Sequence, residues 1–231
     1  MKAVLLAAGL GTRLRPLTDS VPKAMVPVKG KPMLEHHIEL LKRYGATEFF
    51  INLHHLPEVV TSRIGDGARW GVRINYIHEP SLLGTAGTVR GLAPQLRDER
   101  FWVYYADNFT RANLGRLTEF HVERKALVTI AVHYREDVQT SGVVLFDREG
   151  RVQQFVEKPQ GAVPGHLVNA GIYVCEPVIL ELIPDQVPCD FARDVFPRLL
   201  REGRELHALE LDNWLIGVDT VEALERVNAM D

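Results

Sequence analysis

Short apolar runs alternate with segments of helical periodicity along the first half of this chain, and that alternation constrains the fold more than any other feature. Lys2–Ala8 is an apolar run closed by Gly9 and reads as a buried strand. Leu34–Tyr44 sets Leu34, Ile38, Leu41 and Tyr44 on one helical face, with Gly45 as the stop. A strand at Glu48–Leu53, a helix from Pro57 to about Ile64 and a strand at Arg73–His78 follow. A helix begins near Thr85, Phe101–Ala106 is strand-like, and Leu114–Lys125 is a helix with Leu114, Leu117 and His121 on one side. This alternation predicts an α/β sandwich with a largely parallel sheet. In the second half Leu127–Tyr134 alternates as a strand. Gly142–Phe146 and Val152–Glu157 flank Asp147-Arg148-Glu149-Gly150, which has hairpin chemistry. A strand at Val168–Cys175, helices near Pro177–Ile183 and Phe191–Arg201, a strand at Leu206–Leu211 and a helix from about Thr220 complete the pattern. The hairpin adds antiparallel pairing. The expected fold is therefore α/β, a Rossmann-like three-layer sandwich with a mixed, mainly parallel central sheet.

The 231 residues are ample for one core, and no linker-like stretch divides them, so residues 1–231 are read as a single domain. The AVLLAA run after Lys2 is too short for a signal peptide, and Arg13 and Arg15 soon follow it. No run reaches membrane-span length. Cys175 and Cys189 carry no metal or redox spacing, and the expected setting is a reduced, cytoplasmic one. A net charge of -3 argues against a general polyanion binder, so neither nucleic acid nor membrane is an expected partner and any basic function is local. The pairs His36-His37 and His54-His55 point apart on a helix or a strand and suggest no metal site.

That local basic function lies at the start. Gly9 to about Lys31 reads as a loop of roughly twenty residues, because Pro16, Pro22, Pro27 and Pro32 prevent a continuous helix. It holds Arg13, Arg15, Lys23, Lys29 and Lys31 against one acid, Asp19. Such a segment beyond the C-terminal end of a first strand is an anion site in an open α/β sheet. Gly9 and Gly11 let backbone N–H groups approach phosphate; as a packing feature they make a tight turn. The stretch is no dinucleotide fingerprint, since Leu14 stands where a third glycine belongs, and it is no P-loop.

GLGTRLRPLT followed by PKAMVPVKGKP resembles the signature of the sugar-phosphate nucleotidyltransferases. The resemblance continues through GTAG at Gly84–Gly87, the strand-end Asp107, EKP at Glu157–Pro159 and NAG at Asn169–Gly171. It implies an enzyme in which a sugar-1-phosphate oxygen attacks the α-phosphorus of a nucleoside triphosphate and pyrophosphate leaves, with Mg2+ as cofactor. By the same resemblance Arg13 grips the triphosphate and Lys23 stabilises the transition state. Arg15 and Lys29 are surface charges. Ala8, Gly9, Gly11, Thr12, Gly84, Thr85 and Gly87 bind the nucleotide. Gly142, Glu157, Lys158, Asn169 and Gly171 bind the sugar phosphate, with Pro159 keeping Lys158 extended.

Asp107 is similar to the family's magnesium ligand, the alternative being a turn-capping aspartate. A second metal aspartate is harder to find. Relatives carry tryptophan, any residue, then Asp-Ile-Gly-Thr, whereas this chain reads Trp214-Leu215-Ile216-Gly217-Val218-Asp219-Thr220. Asp219 is the candidate, set against a capping box with Glu222; Asp212 is a further one. GTAG looks most like members using GTP with mannose- or heptose-type phosphates, and Glu79 is read as an acceptor for a guanine amino group or as a surface acid. Alternatives are a uridylyltransferase acting on glucose- or amino-sugar phosphate, and a nucleotide-binding regulatory homologue without turnover. The resemblance covers no C-terminal β-helix domain. It allows a homo-oligomer, and the implied partners are the small-molecule substrates alone.

Overall fold

The computed structural model describes residues 1–230. The chain divides into two compact units. One comprises Met1–Leu82, Tyr104–Arg111 and the segment from Leu215 onward; the other comprises Leu83–Val103 and Ala112–Trp214.

In the first unit the strands Lys2–Leu6, Glu48–Leu53 and Arg73–His78 run parallel, with Glu48–Leu53 in the middle. Their runs are apolar because these residues are enclosed: Ala3, Val4, Leu5, Phe49 and Ile51 are fully buried. The helix Met33–Arg43 turns Met33, Leu34, Ile38 and Leu41 inward. Each such side chain contributes about 1.5–3 kcal/mol of burial. Pro57–Ile64 matches its expected bounds, with proline in its first turn. Lys2–Leu6 closes two residues earlier than expected, because the Ala7 N–H donates to the Asn52 side chain (2.7 Å) instead of to a strand.

The Gly9–Lys31 segment is more ordered than a loop. It makes three 3-10 turns at Thr12–Leu14, Leu17–Asp19 and Lys23–Met25, and then a two-stranded ribbon pairing Pro27–Val28 with Lys31–Pro32. The prolines exclude a long helix but allow single turns. Leu14, Thr18, Ala24, Met25, Val26 and Val28 are buried and hold those turns to the core. A second departure is the antiparallel pairing of Asn108–Thr110 with Leu215–Gly217, Phe109 opposite Ile216. Both strands are only three residues long, too short to show a period in the sequence.

In the second unit Leu167–Cys175 pairs antiparallel with Val128–Tyr134 and Gly142–Phe146, and Gly142–Phe146 forms the expected hairpin with Val152–Glu157. His207–Glu210 joins Val128–Tyr134 in parallel. Helices Thr85–Gly91 and Leu114–Arg124 flank these strands in sequence. Parallel and antiparallel pairing with flanking helices is the mixed α/β architecture expected. The Phe191–Arg201 segment is not one helix. It opens with a π-turn, Phe191–Val195, and becomes α-helical only over Phe196–Arg201. Pro197 has no N–H to give to the turn before it, which interrupts the regular ladder there.

Candidate active site

Within the first unit, four charged side chains from three separate stretches of chain converge. Lys23 enters from the third 3-10 turn, Asp107 follows the Phe101–Tyr105 strand, Asp219 follows Leu215–Gly217, and Arg13 belongs to the first 3-10 turn. Lys23 Nζ donates to Asp107 Oδ2 at 2.7 Å and also to Asp219 Oδ1. Arg13 reaches the same Asp219 oxygen at 3.1 Å. The Lys23 side chain is only 10% exposed, whereas Arg13 is 68% exposed. Burial alone disfavours the ammonium, but Asp107 and Asp219 more than offset it and hold Lys23 above its ordinary value. Burial likewise opposes charge on Asp219, and Lys23 and then Arg13 overcome this to hold its carboxyl below the usual range.

Local geometry builds this cluster. The ribbon of Asn108–Thr110 and Leu215–Gly217 carries Asp219 to Asp107, and Val218 N donates to Asp107 O at 2.8 Å. Asp219 is not the helix cap. Thr220 is, its hydroxyl accepting from Ala223 N at 3.2 Å, which frees the Asp219 carboxylate for Lys23. Gly11 sits at φ 63°, and a Cβ there would lie 2.9 Å from Thr18 Cγ2 and 3.0 Å from Lys23 Cβ. Only glycine lets this turn close over the lysine. Ala8 is buried, while Gly9 and Thr12 are exposed.

The two carboxylates fit a divalent ion in their donor chemistry. Both reach one cationic nitrogen, hard oxygen donors suit Mg2+, and magnesium commonly takes one or two carboxylates plus phosphate oxygens. Among the described residues no group of three or more His, Cys, Asp or Glu gathers around one point, so the remaining ligands would come from substrate and water. Asp212 instead accepts from Asn113 N at 3.0 Å in the second unit. Arg15 pairs with Asp19 at the surface (3.2 Å), and the Lys29 N–H donates to Asn228. The four neighbouring histidines each bond a main-chain oxygen: His36 that of Val28, His37 of Ala106, His54 of Glu79 and His55 of Thr18.

Sequence reasoning missed Asn52. Its Oδ1 accepts from Ala7 N and its Nδ2 donates to Glu79 Oε1 at 3.0 Å. The available signal was a polar residue inside the apolar run Glu48–Leu53. Glu79 is 1% exposed, so it is not a surface acid.

In the second unit, Ala86 and Gly87 N–H both donate to Cys189 O, and Thr85 Oγ1 donates to Asp190 Oδ2 at 2.7 Å. Glu157 ends its strand half-buried against Gly142, where a Cβ would stand 2.7 Å from Glu157 Oε2. Gly171 N donates to Asn169 Oδ1 at 3.0 Å within a register irregularity between Asn169 and Tyr173. Lys158 is not extended: its φ is 46°, in the left-handed region. Its N–H is tied to Ser141 O at 3.0 Å, which turns the chain despite Pro159.

These features match a known family. The profile described as "Nucleotidyl transferase" matches residues 2–230, and the chain belongs to that family. Similar relatives include the UTP–glucose-1-phosphate uridylyltransferase of Synechocystis sp., 36% identical over 92% of this chain and 58% of that protein. Another is the mannose-1-phosphate guanylyltransferase of Mycobacterium tuberculosis, 37% identical over 87% of this chain and 56% of that protein. The chain thus spans a little over half the length of these relatives. Among solved structures, HddC from Yersinia pseudotuberculosis complexed with GMP-PN superposes with a TM-score of 0.81 at 23% identity, over 98% of this chain and 97% of that one. UTP-bound UGPase from Acinetobacter baumannii gives 0.83 at 21% identity, over 98% and 91%. At those identities the likeness concerns the fold.

Proposed function

We propose that this protein is a sugar-1-phosphate nucleotidyltransferase. The observation that carries the reading is Lys23 Nζ held by Asp107 and Asp219, with Arg13 on the same Asp219. Two cations opposite two carboxylates form a balanced cluster, in which Lys23 and Arg13 can take triphosphate oxygens and Asp107 and Asp219 would then be left to hold Mg2+.

In the proposed reaction an oxygen of the sugar-1-phosphate forms a bond to the α-phosphorus of the nucleoside triphosphate. The bond from that phosphorus to the bridging oxygen breaks, and pyrophosphate leaves with the electron pair. The attacking oxygen is already anionic, so no strong base is required. The protein's task is to align two mutually repelling anions and offset the charge that develops. Arg13, 68% exposed, takes the triphosphate, and Lys23 the charge at the reacting phosphorus. Asp107 and Asp219 would hold Mg2+, which when bound screens the phosphate oxygens. Ala8, Gly9, Gly11, Thr12, Gly84, Thr85 and Gly87 are proposed for the nucleotide, and Gly142, Glu157, Lys158, Asn169 and Gly171 for the sugar phosphate.

GTP is the proposed donor and a mannose-like 1-phosphate the acceptor. The Mycobacterium tuberculosis relative, a mannose-1-phosphate guanylyltransferase, supports this. Uridylyl transfer to glucose-1-phosphate is the second reading, favoured by the Synechocystis relative.

The deciding assay follows pyrophosphate release with Mg2+, each of four nucleoside triphosphates and a panel of sugar-1-phosphates. Turnover with GTP and mannose-1-phosphate is the expected result. Preference for UTP overturns the guanylyl assignment. Nucleotide binding without turnover for any pair overturns the enzyme reading and leaves a regulatory homologue.

A further inference from the structure

The π-turn Phe191–Val195 supplies no side chain to the sites described above, though its Phe191 N–H donates to Thr85 Oγ1 at 3.0 Å. Such turns are rare and concentrate at functional positions. This one rests on a floor of four aromatic rings within the second unit. Phe191 and Phe196 pack at 5.5 Å, Tyr173 meets them at 5.5 and 5.1 Å, and Phe155 meets Phe196 at 5.5 Å. The same rings locate the sugar-phosphate candidates. Phe155 stands two residues before Glu157 on its strand, and the Tyr173 hydroxyl accepts from Asn169 Nδ2 at 2.9 Å.

The turn holds one exposed cation in a defined plane. Asp190 accepts from Ala192 N (3.0 Å) and Arg193 N (3.3 Å), as well as from the Thr85 hydroxyl. Arg193 Nε and one terminal nitrogen grip the two oxygens of Asp194 at 3.1 and 2.9 Å, and Asp194 also accepts from Asp190 N at 2.7 Å. A guanidinium has five N–H donors, so this grip fixes its orientation and leaves three for a ligand. Arg193 is 60% exposed. Lys158 is exposed too, and among the described residues its ammonium makes no salt bridge. Glu157 feels the charges of Lys158, Asp190 and Arg193, after a burial that pushes its carboxyl up.

We propose that Arg193 is a positioning residue for the phosphate of the sugar-1-phosphate, acting together with Lys158. The inference rests on the transferase reading. Its chemistry is a division of labour: Glu157, a carboxylate, repels an anion but accepts from hydroxyls, while a lysine point charge and a planar arginine fork both suit a phosphate monoester. The ligand that satisfies all three is a polyhydroxylated phosphate monoester.

The test compares wild type, Arg193→Gln and Arg193→Lys in pyrophosphate release, with mannose-1-phosphate or glucose-1-phosphate against GTP or UTP. Arg193→Gln is expected to raise KM for the sugar phosphate roughly ten- to a hundredfold. Its nucleotide KM and its kcat should stay within about threefold, and Arg193→Lys should recover part of the loss. Thermal midpoints of all three proteins check folding, since an exposed ion pair such as Arg193–Asp194 contributes little to stability. An unchanged sugar-phosphate KM in a working enzyme overturns the inference alone, as does a parallel rise in both KM values with a lowered midpoint, which marks a structural role. No turnover by wild type with any pair overturns the transferase reading and, with it, this inference.

Discussion

Lys23 Nζ lies 2.7 Å from Asp107 Oδ2, so a buried ammonium stands where the first of two carboxylates would meet a divalent ion. On the proposed reading lysine and metal would compete for the same oxygens, and a bound phosphate would draw the lysine away. Replacing Lys23 by Met removes both the competitor and the phosphate partner. Mn2+, followed by electron paramagnetic resonance without nucleotide, should bind Lys23→Met more tightly than wild type, while kcat should fall about 100- to 1,000-fold. Equal Mn2+ affinity in the two proteins would contradict the competition.

The carboxylates can be tested separately from the helix they adjoin. Asp107→Asn and Asp219→Asn should each weaken Mn2+ binding in the presence of nucleotide by about tenfold or more. Thr220 caps the last helix, so Asp219→Asn keeps the cap and should lower the thermal midpoint only through the counter-charge lost from Lys23, whereas Thr220→Ala should cost about 1 kcal/mol in any background. An equally large loss when Asp219→Asn is made in Lys23→Met would return Asp219 to a structural role.

Gly11→Ala places a methyl against Thr18 and Lys23 at a left-handed backbone position. The expected loss is about 1–3 kcal/mol in urea unfolding, with weaker triphosphate binding because the turn that carries Arg13 must shift. A neutral stability change would mean that the turn relaxes freely.

His37 links pH to stability. It is buried, bonds Ala106 O at 3.0 Å and packs on Tyr104, and burial pushes its pKa down to about 4. The unfolded chain binds this proton near pH 6.5 and the folded one does not, so stability rises with pH across that window and is lost as pH falls from 6.5 toward 4. The full effect is about 3 kcal/mol. Urea midpoints measured between pH 7 and pH 4 should fall less steeply for His37→Gln than for wild type; equal slopes would remove His37 from the account.

Much of the first unit was legible in the residues. Glu48–Leu53, Pro57–Ile64 and Arg73–His78 have the bounds their periodicity predicts, because burial of one face writes itself directly into apolar spacing. The Gly9–Lys31 segment announced its charge but not its turns, since each 3-10 turn is shorter than any readable period. Asn52 was hidden for the opposite reason: one polar side chain in an apolar strand looks like an exception until its partners, Ala7 and Glu79, are known.

The sequence by itself determined the α/β class, the basic glycine- and proline-rich opening after the first strand, and the motifs that mark the family. Local spacing suffices for these because they depend on neighbours along the chain. Only the tertiary structure decided what Asp219 does. It stands 196 residues from Lys23 and 112 from Asp107 in the numbering, and its environment is set by a three-residue ribbon that pairs Leu215–Gly217 with Asn108–Thr110. The π-turn that carries Arg193 is likewise seated by distant residues, Phe191 and Phe196 packing on Tyr173 and Phe196 on Phe155. Contacts made across such distances leave no periodic trace, so their chemistry appears only when the chain is folded.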